Sequence, residues 1–269
     1  MKTLYSYINN IKLIDGHIHL FDHSGTIMDN KYYKTTIYNQ FDKIVGFMDI
    51  DYENLDKYNL ANVVKYYDNF ISKYYDQDKM ILLATGTNVE TMIEVYKKYP
   101  HIIKGFGELK CYNYYKDIEL SYGNLQWFEE LCEFNKELCL PIYIHWYVYN
   151  NERFNELCKL ISKYPNIPFV LCHFGVSPKR NFKKQYEFVK SLLLIYDNLY
   201  VDISYKVVEN FIECPELAKL FCSRLLIGTD INLKSTRHNN NVDIFKKNLK
   251  LYNMLNLNTE KTLKNIFCI

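Results

Sequence analysis

Six side chains in this 269-residue sequence could together hold a divalent metal ion and move a proton: His17, His19, Glu108, His145, His173 and Asp230. Each falls at or near the end of a short apolar run. His17 and His19 lie two apart in Ile14-Asp15-Gly16-His17-Ile18-His19, so on an extended strand both imidazoles project to one face. Glu108 follows Gly105-Phe106-Gly107, and His145 follows Ile142-Tyr143-Ile144. His173 follows Phe169-Val170-Leu171-Cys172, and Asp230 ends Ile227-Gly228-Thr229-Asp230. Neutral imidazoles and carboxylates are the ligands that zinc and related divalent ions take. Taken singly, each residue has an ordinary explanation. A histidine ending an apolar strand is commonly a hydrogen-bonded core residue, and an aspartate there commonly caps the next helix. As a set they resist that explanation, because burying six polar groups together is costly unless they have something to bind.

The rhythm of the chain supplies a way to bring them together. Strand candidates are Leu13–His19, Ile44–Ile50, Met80–Thr85, Ile102–Leu109, Ile142–Trp146, Pro168–His173, Leu199–Ser204 and Leu225–Asp230. Between them lie amphipathic, helix-like stretches: Asn54–Tyr75, Val89–Tyr99, Leu125–Leu138, Glu152–Tyr164, Lys179–Tyr196 and Val207–Cys222. Two more follow, over Val242–Leu255 and after Asn258. Near-continuous apolar runs such as Pro168-Phe169-Val170-Leu171-Cys172 belong to strands covered on both faces, hence to a parallel sheet. Eight strand–helix alternations predict an α/β fold, a (β/α)8 TIM barrel, with residues 1–269 as a single domain. A doubly wound open sheet is the runner-up, but Asp15-Gly16-His17-Ile18-His19 is not the Gly-rich phosphate turn that such a sheet usually carries. In the barrel, all six candidates stand at the carboxyl ends of the strands, where barrel enzymes place their chemistry.

Composition narrows the class. The 33 basic and 31 acidic residues leave a net charge of +2 with no basic block, so a nucleic-acid footprint has no support. No run approaches the ~18 apolar residues of a membrane span. The first ten residues lack the apolar core of a signal peptide. The eight cysteines contain no Cys-x-x-Cys pair and sit in apolar stretches, as reduced structural thiols do. The expectation is a cytoplasmic protein that acts on a small molecule, away from membranes, with a homo-oligomer left open.

The ordered set (His-x-His on the first strand, Glu on the fourth, His on the fifth and sixth, Asp on the eighth) resembles the amidohydrolase superfamily of metal-dependent TIM-barrel hydrolases. Gly105-Phe106-Gly107-Glu108-Leu109-Lys110, Cys172-His173-Phe174-Gly175 and Leu226-Ile227-Gly228-Thr229-Asp230 are most similar to its amidohydrolase-related branch. The resemblance implies that His17, His19 and Asp230 hold a first metal, that His145 and His173 hold a second, and that Glu108 bridges them. It also implies that Asp230 is catalytic, taking the proton from the attacking water. The implied cofactor is one or two divalent ions, zinc first, with manganese or iron accepted by the same mixed ligands. The implied activity is hydrolysis of an amide, lactone or other ester bond in a small molecule. A metal lowers the pKa of a bound water towards ~7, and a carboxylate touching that water can serve as general base.

Other activities share this scaffold: a TatD-like metal-dependent nuclease, an amidohydrolase-related decarboxylase, and a catalytically silent metal-binding barrel. TatD-type sequences typically continue Gly-Glu with Ile-Gly-Leu-Asp, where this chain has Leu109-Lys110-Cys111. The decarboxylases use one metal and lack the bridging glutamate. A silent barrel would have lost Asp230 or a strand-one histidine. Lys110 has the parity of Glu108, at the strand where phosphotriesterase-like members bridge with a carboxylated lysine; with Glu108 in place it reads as substrate-facing or solvated. Arg237 and His238 follow strand eight, with Lys234 nearby, and would suit a carboxylated or phosphorylated substrate, solvated loop charge being the ordinary reading. Asp15 shares the parity of His17 and would orient it or fill an inner layer. Tyr112, Tyr114, Tyr115 and Tyr122 follow strand four as pocket candidates or plain loop packing.

Overall fold

The computed structural model describes residues 12–51, 54–110, 125–177, 181–234, 241–257 and 259–268. All eight apolar runs are strands. They are β1 (Ile14–Asp22), β3 (Lys43–Met48), β4 (Met80–Ala84), β5 (Ile103–Lys110), β6 (Ile142–His145), β7 (Phe169–Leu171), β8 (Leu199–Ile203) and β9 (Leu225–Ile227). The alternation does not announce β2 (Gly25–Thr26), which turns back antiparallel on the end of β1. Asp22 builds that turn, its Oδ1 accepting from Ser24 N and Oγ at 2.6 and 2.7 Å and from Gly25 N at 3.1 Å.

Helices Leu60–Tyr74, Val89–Lys98, Leu125–Asn135, Asn151–Lys163 and Phe182–Ile195 fall between successive strands. Four of them begin on the same chemistry: Asn59, Asn88, Asn150 and Asn181 each accept a hydrogen bond from the backbone N–H three residues on. The stretch Val207–Cys222 is not one helix but two, Val207–Glu213 and Glu216–Lys219, divided at Pro215. Proline has no N–H to give the preceding turn, and its ring crowds that turn.

The strand order is β2-β1-β3-β4-β5-β6-β7-β8-β9, with every pair from β1–β3 onward parallel. The sheet curls, but its ladder is open between β9 and β1, a correction to the closed barrel expected from the alternation. The physical reason lies in β9, which is only three residues long and gives way at Gly228. There the backbone passes so close to β1 that a Cβ on Gly228 would lie 2.4 Å from His17 Cβ. Two isolated backbone hydrogen bonds join the edges instead, His19 N to Ile231 O at 2.9 Å and Asp230 N to His17 O at 2.8 Å. A buried carboxylate reinforces them, Asp15 accepting from Thr229 N at 2.9 Å and Thr229 Oγ1 at 2.6 Å. Gly228→Ala is therefore expected to destabilise the fold by roughly 1–3 kcal/mol, the usual range for overpacking, read as a lower urea midpoint. An unchanged midpoint would mean that the β1–β9 seam gives way more easily than this contact implies.

Most buried apolar side chains lie between the strands and the helices outside them. A smaller inner cluster holds Ile14, Val45, Phe47, Leu83, Tyr143 and Val170, with Leu263, Ile266 and Phe267 of the last helix, Thr259–Phe267, packed against it. Among the described residues no helix is long and apolar enough to cross a membrane, and the seven described cysteines are unpaired.

Candidate metal centre

The curl delivers the six residues, from five strands and their ends, to one place. β1 brings His17 and His19, β5 brings Glu108, and β6 ends on His145. His173 and Asp230 stand just past β7 and β9 with φ of 53° and 54°, a left-handed backbone region uncommon outside glycine, though histidine, aspartate and asparagine enter it more often than other residues. Each such residue costs about 1–3 kcal/mol and persists where its surroundings hold it. Here the holds are the His173 N–H, given to Asp202 Oδ1 at 3.2 Å, and the Asp230 N–H given to His17.

Ring centroids are 5.3 Å apart for His17 and His19, 4.9 Å for His17 and His173, and 4.4 Å for His145 and His173. Glu108 lies at the centre. Its Oε1 is 2.7 Å from His145 Nδ1, 3.3 Å from His173 Nε2 and 3.9 Å from His17 Nε2, while Oε2 is 3.7 Å from His19 Nε2. Asp230 Oδ1 lies 3.1 Å from His19 Nε2 and 3.5 Å from His17 Nε2. The ligand atoms fall into two triads, His17–His19–Asp230 and Glu108–His145–His173, each with its atoms within 4.8 Å of one another.

A divalent cation fits this donor set, and the buried polar atoms say so. His17 Nε2 and both oxygens of Glu108 are buried with no well-formed hydrogen bond, with only His145 Nδ1 and His173 Nε2 close to Oε1, at 2.7 and 3.3 Å. Leaving such atoms unmatched is expensive, and a cation is what would match them. Two other groupings are close enough to consider, one with Asp202 and one with Cys172. Asp202 already accepts hydrogen bonds at both oxygens, and burial pushes the Cys172 thiol well above its ordinary range, so neither matches the two triads as a ligand source.

Electrostatics follow from the crowding. Burial opposes charge on Glu108 and Asp230, yet the cations and imidazoles around them win: His145 and Lys110 hold Glu108, and His173, His19 and His17 hold Asp230, below the ordinary carboxylate range. Burial pushes His145 down to about 4 against the pull of Glu108, leaving a neutral ring at pH 7. For His17 burial acts downward too, but Asp202, Glu108 and Asp230 together raise it to about 10. A metal that took His17 Nε2 would therefore have a proton to displace. Because this pKa stands above the unfolded value near 6.5, the stabilisation of metal-free protein is full below that pH and is lost as pH rises through about 10. Metal affinity runs the other way and should increase by about tenfold per pH unit between those limits for one displaced proton. Calorimetric titration in buffers of different ionisation enthalpy checks this; binding without proton release would contradict it.

Lys110 joins the rim, its Nζ 3.6 Å from Glu108 Oε2 and 3.5 Å from Asp49 Oδ1, with 22% of the side chain exposed. Lys234 pairs with Asp51 at 3.6 Å, and His23 with the Tyr58 hydroxyl at 3.0 Å. Arg237 and His238 lie outside the described residues, as do Tyr112, Tyr114, Tyr115 and Tyr122. Asp15 does not orient the His17 ring: β1 shifts register between Asp15 and Ile18, and the Asp15 carboxylate receives the His17 backbone N–H at 3.2 Å instead. That orienting role falls to Asp202, whose Oδ2 is 3.1 Å from His17 Nδ1. Sequence reasoning passes over Asp202, Ser204 and Asp49. The available signal was the two-residue spacing of Asp202 and Ser204 in Val201-Asp202-Ile203-Ser204, the same spacing that marks His17 and His19.

No family model matches the chain, and no curated protein matches it. Solved structures do. An amidohydrolase from Burkholderia multivorans with bound zinc aligns at TM-score 0.62 and 7% identity, over 96% of this chain and 100% of that one. Amidohydrolase 2 from Bifidobacterium longum subsp. infantis aligns at TM-score 0.59 and 12% identity, over 97% and 100%. An uncharacterised TIM-barrel protein from Bordetella bronchiseptica gives TM-score 0.57 and 11% identity, over 96% and 99%. Dihydroorotases also occur among the matches. At these identities the likeness is one of fold: an α/β chain with a curled, mostly parallel sheet, shared with amidohydrolases and other TIM-barrel proteins.

Proposed function

We propose that this chain is a metal-dependent hydrolase of the amidohydrolase superfamily, one barrel-like domain that cleaves an amide, lactone or other ester bond in a small molecule. The observation that carries the reading is the convergence of His17, His19, Glu108, His145, His173 and Asp230 around buried, unmatched nitrogen and oxygen atoms. The zinc of the Burkholderia multivorans amidohydrolase supports zinc as the first metal to try, with manganese and iron next. His17, His19 and Asp230 would hold one ion, and His145 and His173 a second, with Glu108 between them. Such an ion supplies Lewis acidity, acidifying a water and polarising the bond to be cleaved.

The protein supplies the rest. Asp230 has 17% of its side chain exposed, against 9% or less for the other five, so it is the member of the set that meets incoming water. Held ionised by the histidines, it accepts the proton from the attacking water and returns it to the leaving group. Lys110, at the rim beside Glu108 and Asp49, offers an ammonium to an anionic group of the substrate or to charge developing on its oxygen. Arg237 and His238 are assigned to substrate binding on sequence position alone. The place of Glu108 among all four histidines supports a two-metal site over a one-metal decarboxylase, and the near-neutral charge speaks against a nuclease.

The test is metal-stripped protein reconstituted separately with zinc, manganese and iron, then screened on lactones, small amides and phosphate esters. Hydrolysis that vanishes on stripping and returns with metal is the expected result. Turnover that survives complete stripping, or cleavage confined to DNA, would contradict the proposal.

A further inference from the structure

We propose that Asp202 is a positioning residue shared by both metal positions, fixing the ring nitrogen that His17 and His173 each present to a cation. The proposal rests on the metal reading above and adds to it a residue that ligates nothing. Asp202 is fully buried at the end of β8. Its Oδ2 faces His17 Nδ1 at 3.1 Å, while Oδ1 receives the His173 backbone N–H at 3.2 Å and the Ser204 hydroxyl. Ser204 Oγ in turn lies 2.7 Å from His173 Nδ1.

The proton count decides the direction of this chain. A serine has one hydroxyl hydrogen, and an ionised carboxylate has none to give. Ser204 spends its hydrogen on Asp202 Oδ1, so towards His173 it can only accept, and the proton between them belongs to His173 Nδ1. By the same logic His17 Nδ1 donates to Oδ2. Both rings are left with Nε2 for a cation, and those are the atoms that face inward: His173 Nε2 towards Glu108 Oε1 at 3.3 Å, His17 Nε2 towards Asp230 Oδ1 at 3.5 Å. The two histidines belong to different triads. One carboxylate therefore orients one ligand of each position, directly on one side and through a hydroxyl on the other.

Substitutions separate the two arms. Asparagine at 202 has one acceptor oxygen where aspartate has two. Two donors converge on the Ser204 side, so the asparagine oxygen turns there and its NH2 opposes His17 Nδ1. The experiment titrates metal-stripped protein with Co²⁺ alone, reading its visible absorption, with each position isolated in turn. His145→Ala leaves the His17–His19–Asp230 position and His19→Ala leaves the other. Ser204→Ala is expected to weaken Co²⁺ binding about 10–100-fold in the His19→Ala background and by less than about twofold in the His145→Ala background. Asp202→Asn should show the reverse pattern, and Asp202→Ala should weaken both positions. If the alanine variant fails to fold, the other two still decide. Nitrogen-15 spectra of the zinc-loaded wild type should place the remaining ring proton of His17 and His173 on Nδ1. Co²⁺ uptake indifferent to Asp202→Asn and Ser204→Ala overturns this proposal alone. Wild-type protein that takes up no Co²⁺ overturns the metal reading and this proposal with it.

Discussion

Asp230→Asn is expected to lower kcat by about 10²–10⁴-fold, the usual contribution of a general base, with fold and at least one metal retained. Asparagine keeps the size of aspartate and one ligand oxygen, but at neutral pH it cannot accept a proton. The backbone has no reason to move. Residue 230 sits at φ 54°, a region asparagine tolerates well, and its N–H remains bonded to His17 O at 2.8 Å. The measurement is kcat on a confirmed substrate with metal in excess, alongside a circular dichroism spectrum and metal content. Near-wild-type turnover would show that another group takes the proton, even with the metal ligands correctly assigned.

Glu108→Gln should act earlier in the same chain of events, on metal loading. The carboxylate lies within 3.9 Å of all four histidines and is 2% exposed, so its charge would offset that of the cations proposed to sit there. An amide of the same shape keeps an oxygen but loses the charge. Metal content should fall to one ion per chain or less, with affinity reduced beyond the about 10–100-fold typical of losing an outer hydrogen-bond partner. Activity should follow occupancy and recover partly in excess metal. The check is elemental analysis against added metal, paired with rate measurements on the same samples. Unchanged occupancy would remove Glu108 from the ligand set.

What could be read from the sequence was local in character. His17 and His19 reveal themselves by spacing, and His145, His173, Glu108 and Asp230 by their places at the ends of apolar runs that the parallel order then gathers. Asp202 was hidden because a single polar residue in an apolar strand has many ordinary explanations, and its partner His17 is 185 residues away. The parity of Asp15 with His17 misleads because a register shift in β1 lies between Asp15 and Ile18, which no alternation pattern displays. The open edge between β1 and β9 has a similar origin: Gly228 permits a backbone approach too close for a continued ladder, a consequence of three-dimensional contact and not of periodicity.

The central claim, that six side chains from five strands and their ends share one metal centre, is tested most directly by crystals of zinc-loaded protein measured across the zinc absorption edge. One or two anomalous peaks should appear among His17, His19, Glu108, His145, His173 and Asp230, with the ligating ring nitrogens at about 2.0–2.1 Å. Crystals in which these side chains hold their places, zinc is present in the solution, and no peak lies between them would contradict it.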